Sequence, residues 1–154
     1  MDVLLRAVEP EDLEVLYEQQ RDPAATRMAL VPPRDRDAFT AHWARILGDP
    51  TVVVKTIVVD DGAVAGHVVA FERDGKREVG YWLGRPFWGR GIATRALDEF
   101  LRVVTERPLH AVVAVENRAS IRVLEKCGFT ITRSETRFDD RLGEEIDVML
   151  FELR

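Results

Sequence analysis

Apolar positions along the chain change period several times, and each change marks an element. Val3–Val8 reads as a strand. Pro10, Glu11 and Asp12 supply the proline and acids favoured in a first helical turn, and Leu13, Leu16 and Tyr17 continue at helical spacing. Asp22-Pro23 punctuates and Pro32-Pro33 marks a turn. Asp35–Leu47 predicts a second helix with Phe39, Trp43, Ile46 and Leu47 on one stripe, stopped by Gly48-Asp49-Pro50. Three strands follow as a meander: Val52–Val59, Ala63–Glu72 and Glu78–Leu83. Asp60-Asp61-Gly62 and Asp74-Gly75 are the hairpin signals between them. After Gly91 the period turns helical, with Ile92, Ala93, Ala96, Leu97, Phe100, Leu101 and Val104 on one stripe. Leu109–Val115 has almost no polar residue, as a central, doubly covered strand requires. Asn117–Cys127 is a short helix closed by Gly128, and Phe129–Arg137 and Ile146–Leu153 are two last strands.

The order β-α-α-β-β-β-α-β-α-β-β joins a meander to a βαβ unit. That predicts an α/β (α+β) three-layer domain, with a mixed sheet and helices on its faces. The 154 residues, 1–154, fit one domain, and no long linker or repeat interrupts them. Charged residues make up 32% and hydrophobic residues 46%, ordinary for a soluble globular protein. The net charge of −5 argues against a nucleic-acid partner and leans towards a cationic small partner. One cysteine, Cys127, excludes an internal disulfide and a Cys-rich zinc site. Met1–Arg6 lacks a signal-peptide pattern, and no apolar run approaches the ~20 residues of a membrane span. A cytoplasmic protein without membrane contact is expected.

The strongest chemical signal is the stretch Glu78 to Thr94, a strand entering a glycine-rich turn that opens an amphipathic helix. Such glycines allow positive φ and close approach to backbone N–H groups, and the helix start adds about half a positive charge. This is an anion site, most naturally for a pyrophosphate. A Walker A loop needs Lys and Ser/Thr after its last glycine, whereas Gly91 is followed by Ile92-Ala93-Thr94. A dinucleotide fingerprint misses its third glycine at Thr94, although Glu116 stands where a ribose-binding acid would. A plain strand-to-helix turn is the remaining reading.

Trp88-Gly89-Arg90-Gly91-Ile92-Ala93 resembles the pyrophosphate motif of the GCN5-related N-acetyltransferase (GNAT) superfamily, Q/R-x-x-G-x-G/A. It matches at Gly91 and Ala93 and places Trp88 at the first position, which resembles the branch that acetylates ribosomal-protein N-termini. The segment from Asn117 through Ser120 and Leu124 to Gly128-Phe129 is similar to the family's N-x-x-S-x-x-x-(L/Y)-x-x-x-G-F. The resemblance spans essentially the whole chain and implies a splayed sheet and direct acetyl transfer from acetyl-CoA to an amine, with no metal. By motif position, Gly89, Arg90, Gly91, Ile92, Ala93 and Thr94 hold the pyrophosphate, within a basic loop from Arg85 to Arg95 that seats the phosphates. Tyr81, Trp82 and Leu83 pair with the pantetheine arm as an added strand would, and an N–H of Trp82 or Leu83 faces the thioester oxygen. Gly80 is expected as a bulge that splays the strand.

Asn117 is a favourable N-cap and, in the family, a hydrogen-bond partner of the CoA arm. Ser120 implies a hydroxyl near the sulfur. It is the nearest replacement for the family's acid, a tyrosine, because that position is Leu124 here. A free thiol has a pKa of ~8.5, so the leaving group tolerates a weak acid. An α-amine with pKa ~7.7–8.0 is partly neutral at pH 7, whereas neutralising a lysine costs roughly 4.6 kcal/mol. Glu78 stands near the glutamate base of histone-acetylating relatives, with His67, His110 and Glu116 as alternatives. Cys127 reads as a core residue, since no adjacent histidine activates it. The turn Met28–Arg36 borders the acceptor side, and by family analogy splayed sheets support homodimers. The rival reading from another class is a non-catalytic acyl-CoA-binding module, motivated by Leu124.

Overall fold

The structure is a computed structural model, and it describes residues 2–29, 32–60 and 62–154. Leu30 and Val31 of the acceptor-side turn, and Asp61 of the first hairpin signal, lie outside the described residues. Seven strands form one mixed sheet in the order β1-β2-β3-β4-β5-β7-β6. They are β1 Val3–Arg6, β2 Val53–Val59, β3 Ala63–Arg73, β4 Lys76–Leu83, β5 Leu109–Ala114, β6 Thr130–Asp139 and β7 Glu144–Leu153. The helices are α1 Pro10–Gln20, α2 Pro23–Ala29, α3 Arg36–Gly48, α4 Ile92–Val103 and α5 Arg118–Lys126. The expected mixed α/β domain is present, and no helix among the described residues is long and apolar enough to cross a membrane.

Several local readings change. The first strand stops at Arg6 instead of Val8, because the chain must turn into the Glu9 cap of α1. Asp22-Pro23 does more than punctuate. The Asp22 carboxylate accepts the Ala24 N–H at 3.0 Å, and Pro23 opens a helix that periodicity over seven residues was too short to reveal. The Asp74-Gly75 turn has φ of 51° and 76°, the pair of positive values a two-residue hairpin needs, so β3 and β4 run right up to it. Gly80 is not a bulge: it pairs with Val69 in regular register. The irregularity lies one strand earlier, where Ile57 opposes Gly66 and Val58 opposes Val64, leaving Ala65 as the extra residue.

The larger core lies between the sheet and the helices α4 and α5, around Val68, Phe100, Leu109, Leu124 and Phe151. A smaller one, Leu16, Phe39 and Trp43, covers the opposite face beneath α1 and α3. A buried ionic network ties β1, α1 and β2 together. Asp12 is 2% exposed and receives both Arg6 amino groups at 2.7 and 2.9 Å, the Glu9 N–H at 2.8 Å and the Thr56 hydroxyl at 2.8 Å.

Candidate active site

The antiparallel register of β3 and β4 is continuous from Arg73/Lys76 to Gly66/Leu83, but β4 meets its parallel neighbour β5 at a single pair, Glu78 with His110. Beyond Glu78 the two strands part. Gly84 donates its N–H to the Ala65 carbonyl at 2.9 Å. Amide direction alternates along a strand, so the Trp82 N–H turns toward β3, and the Tyr81 and Leu83 N–H groups turn into the gap. Of Trp82 and Leu83, the two expected donors, Leu83 has its N–H on the gap side.

The bulge at Ala65 brings β3 unusually close to β4. A side chain on Gly66 would place its Cβ 1.8 Å from the Trp82 carbonyl oxygen, so only glycine fits. From the helical layer, Gln19 reaches across to the same bulge, donating to the Val64 and Ala65 carbonyls at 3.2 and 3.3 Å.

The turn after β4 is a short 3₁₀ segment, Arg85–Phe87, and then α4 begins. Gly91 caps α4 at φ 75° and ψ 7°, and Gly89 also has positive φ, 70°. Nothing lies within 4 Å of the Cβ position at either glycine, so the approach to the helix start is open. The N–H groups of Ile92, Ala93 and Thr94 belong to the first turn and lack intrahelical acceptors. That arrangement fits a pyrophosphate. Trp88, the departure from the family pattern, donates its indole N–H to the Leu83 carbonyl at 2.9 Å and so ties the loop to the end of β4. Arg85 is engaged elsewhere, donating to both Asp22 carboxylate oxygens, one at 2.7 Å. Arg90 lies 4.0 Å from the Asp60 carboxylate.

Side-chain parity sorts the polar groups onto the two faces. Glu78 and Trp82 share the face of α1 and α3, whereas Val79, Tyr81 and Leu83 join the core under α4 and α5. Glu78 is buried, and burial raises its carboxyl above the ordinary value against the pull of Arg73, Arg137 and His110. Its ion pair with Arg73 spans 3.5 Å. His67 pairs with Trp82 and stacks edge-on against Trp43 at 4.9 Å. Burial lowers its pKa to about 4, so it is neutral at pH 7 and a poor base.

On the other face the Tyr81 hydroxyl meets the Ser120 Oγ at 2.7 Å, a contact invisible in the motif because it joins residues 39 positions apart. Burial raises the Tyr81 phenol further, so it keeps its proton. Asn117 caps α5 by accepting the Ser120 N–H at 3.2 Å, and its Nδ2 donates to the Met28 carbonyl at 3.4 Å. Leu124 is core, 3% exposed. Burial pushes the Cys127 thiol up to about 11, so the nucleophile alternative has no support.

Residues 2–130 match the family described as acetyltransferase (GNAT) domain. The chain is 26% identical over 161 residues to the uncharacterized N-acetyltransferase p20 of Bacillus licheniformis, covering 97% of this chain and 90% of that protein. It is 30% identical over 142 residues to YdaF of Bacillus subtilis (strain 168), provisionally named a ribosomal N-acetyltransferase, covering 82% and 77%. Its fold is that of the spermidine N-acetyltransferase from Vibrio cholerae solved with CoA and spermine. The TM-score is 0.86 at 18% identity, over 98% of this chain and 94% of that chain.

Proposed function

The chain belongs to the GNAT acetyltransferase family, and on that premise we propose that it transfers an acetyl group from acetyl-CoA to a primary amine by direct attack. The acceptor is a protein N-terminal α-amine or a small-molecule amine. The observation that carries this reading is the gap beside β4, one end of which opens onto the Gly91-capped start of α4. Acetyl-CoA supplies an acetyl thioester whose transfer needs no enzyme-bound acyl group.

Residues Gly89, Arg90, Gly91, Ile92, Ala93 and Thr94 bind the pyrophosphate through backbone N–H groups and the helix dipole. The backbone edges of Tyr81 and Leu83 hold the pantetheine arm, and the Leu83 N–H donates to the thioester oxygen. The second Nδ2 hydrogen of Asn117 is directed to the same arm. Glu78 takes the proton from the amine on the α1–α3 face, directly or through water. Ser120 passes a proton to the departing sulfur from the α4–α5 face and takes the proton of the Tyr81 phenol in its place, which solvent then restores to Tyr81. Base and acid then act from opposite faces of the sheet.

Thermal shift with CoA, acetyl-CoA and NAD(P) tests the cofactor assignment. Stabilisation by the CoA ligands alone is expected, and stabilisation by NAD(P) alone points to the dinucleotide reading.

A further inference from the structure

Glu78 is 7% exposed, and a base that deep needs a route for the proton it takes. Among the described residues its one ion pair is with Arg73, at 3.5 Å. A guanidinium donates and accepts nothing, so Arg73 steadies the carboxylate but cannot empty it. The same holds for Arg137 of β6, the other arginine that acts on this carboxyl. Two groups near Glu78 are able to accept a proton: Asp74 in the β3–β4 turn and His110 on β5.

Strand pairing separates these two. Asp74 lies beyond the Arg73–Lys76 pair that closes the hairpin, at the end of β4 away from the gap. His110 is the register partner of Glu78, at the single pair that joins β4 to β5. Register partners stand one strand spacing apart, ~4.8 Å, and point to the same face. That face is the one beneath α1 and α3, because Leu109 and Ala111 on either side of His110 belong to the core under α4 and α5. The row continues past His110, which pairs on its other side with Glu152 of β7. Arg154 Nε donates to the Glu152 carboxylate at 2.7 Å and holds it below its ordinary pKa, so Glu152 is an anion at pH 7. Burial falls along the row: Glu78 is buried, His110 is half-buried, and the Glu152 side chain is 20% exposed. A carboxylate, an imidazole and a second carboxylate thus lead from the closed end of the gap towards solvent. Imidazole is the side chain suited to taking and giving a proton near neutral pH, and a neighbouring anion favours its charged form.

We propose that His110 carries the proton from Glu78 to water. Once the amine has given its proton to the Glu78 carboxylate, that proton passes to a ring nitrogen of the imidazole. The imidazolium then releases one proton to solvent beside Glu152. Glu78 is again a carboxylate, the ring is again neutral, and one proton has moved from the amine to water. His110 therefore acts through Glu78 and does not touch the amine, a different role from the alternative base that the sequence suggested. The inference rests on the acetyl-transfer reading above, with Glu78 as its base, and adds the exit for the proton.

Thiol release from acetyl-CoA with a panel of primary amines tests this in the wild type, His110→Ala, His110→Gln and Asp74→Asn. Both His110 variants should lose about tenfold or more in kcat, with KM for acetyl-CoA unchanged. Their solvent deuterium isotope effect on kcat should rise above that of the wild type, since proton removal has become the slow step. In His110→Ala the vacated space admits a small base, so added methylimidazole at constant ionic strength should return most of the lost kcat. Wild type and Asp74→Asn should respond little to it. A histidine that only fills space would give neither the isotope effect nor the rescue. Unchanged kcat in the His110 variants, a loss without a raised isotope effect or rescue, or rescue confined to Asp74→Asn overturns this inference and leaves the transfer reading standing. No amine-dependent thiol release by the wild type overturns the transfer reading and this inference with it.

Discussion

The Tyr81 hydroxyl and the Ser120 Oγ stand 2.7 Å apart, joining the strand on one side of the gap to the helix that follows the strand on the other. This bond holds the only hydroxyl that the α5 motif supplies near the expected sulfur position, with Leu124 occupying the place of the family's tyrosine. Ser120→Ala should lower kcat by about 10²-fold, at the lower end for a general acid, with KM for acetyl-CoA little changed. Tyr81→Phe should lower kcat less, about tenfold, and cost about 1 kcal/mol of stability for the lost hydrogen bond. Equal kcat in Ser120→Ala and wild type would remove the serine from the mechanism.

Gly66 and Gly80 make a matched pair of tests on neighbouring strands. A Cβ on Gly66 collides with the Trp82 backbone at 1.8 Å, and a Cβ on Gly80 finds only a Val69 methyl at 3.9 Å. Gly66→Ala should cost about 3 kcal/mol or more in urea unfolding and damage acetyl-CoA binding, because β4 must move. Gly80→Ala should stay within about 1 kcal/mol of wild type. Comparable destabilisation by both would contradict the close approach at the bulge.

Gly91 combines positive φ with open space, so its substitution has two separable effects. Gly91→Ala meets chiefly the left-handed conformation, costing about 1–2 kcal/mol of stability. Gly91→Val adds branched bulk over the first N–H groups of α4 and should weaken acetyl-CoA binding by tenfold or more, about 1.4 kcal/mol. Calorimetric titration measures this, and an unchanged affinity would sink the pyrophosphate assignment.

Glu78 and Asp12 titrate with opposite signs. Burial raises the Glu78 carboxyl, so the folded state favours its protonated form. The stability it contributes is present at low pH and is lost as pH rises through its folded pKa. Glu78→Gln should therefore keep or raise the unfolding midpoint at pH 7 while lowering the acetylation rate. The wild-type rate should fall as pH drops through the raised pKa, and Glu78→Gln should lose that limb. Wild-type kinetics in the variant would exclude Glu78 as base.

Burial pushes the Asp12 carboxyl up too, but hydrogen bonds from Arg6, the Glu9 N–H and Thr56 outweigh it and hold the pKa below the ordinary value. Its contribution to stability is present above the unfolded pKa of about 3.9 and is lost as pH falls through the folded value. Removing this acceptor leaves the buried Thr56 hydroxyl without its partner, while Arg6 keeps Glu9 at 3.8 Å and the Ala7 carbonyl at 3.1 Å. Asp12→Ala should cost about 2–3 kcal/mol at pH 7, and the loss should shrink in acid. A flat difference across pH would contradict the assignment.

The strands, the glycine loop and the α5 motif were legible because each follows from local periodicity or from a few adjacent residues. The Asp74-Gly75 turn, the αL cap at Gly91 and the Asn117 cap all stand where their residue types require. Relations across strands were not legible. Periodicity places Gly80 in a strand but does not show that the bulge belongs to Ala65, since a bulge depends on both partners. The Tyr81–Ser120 bond and the Trp88 clamp on Leu83 each join residues set by tertiary packing.

The most direct test of catalysis by this gap follows free thiol and N-acetylated product together, in a mixture of the protein, acetyl-CoA and a panel of primary amines. Thiol release that depends on an amine and matches N-acetyl product one for one is the predicted result, and Gly91→Val should suppress both. Tight binding of acetyl-CoA with no amine-dependent thiol release would contradict it and leave a domain that binds acyl-CoA without transferring the acyl group.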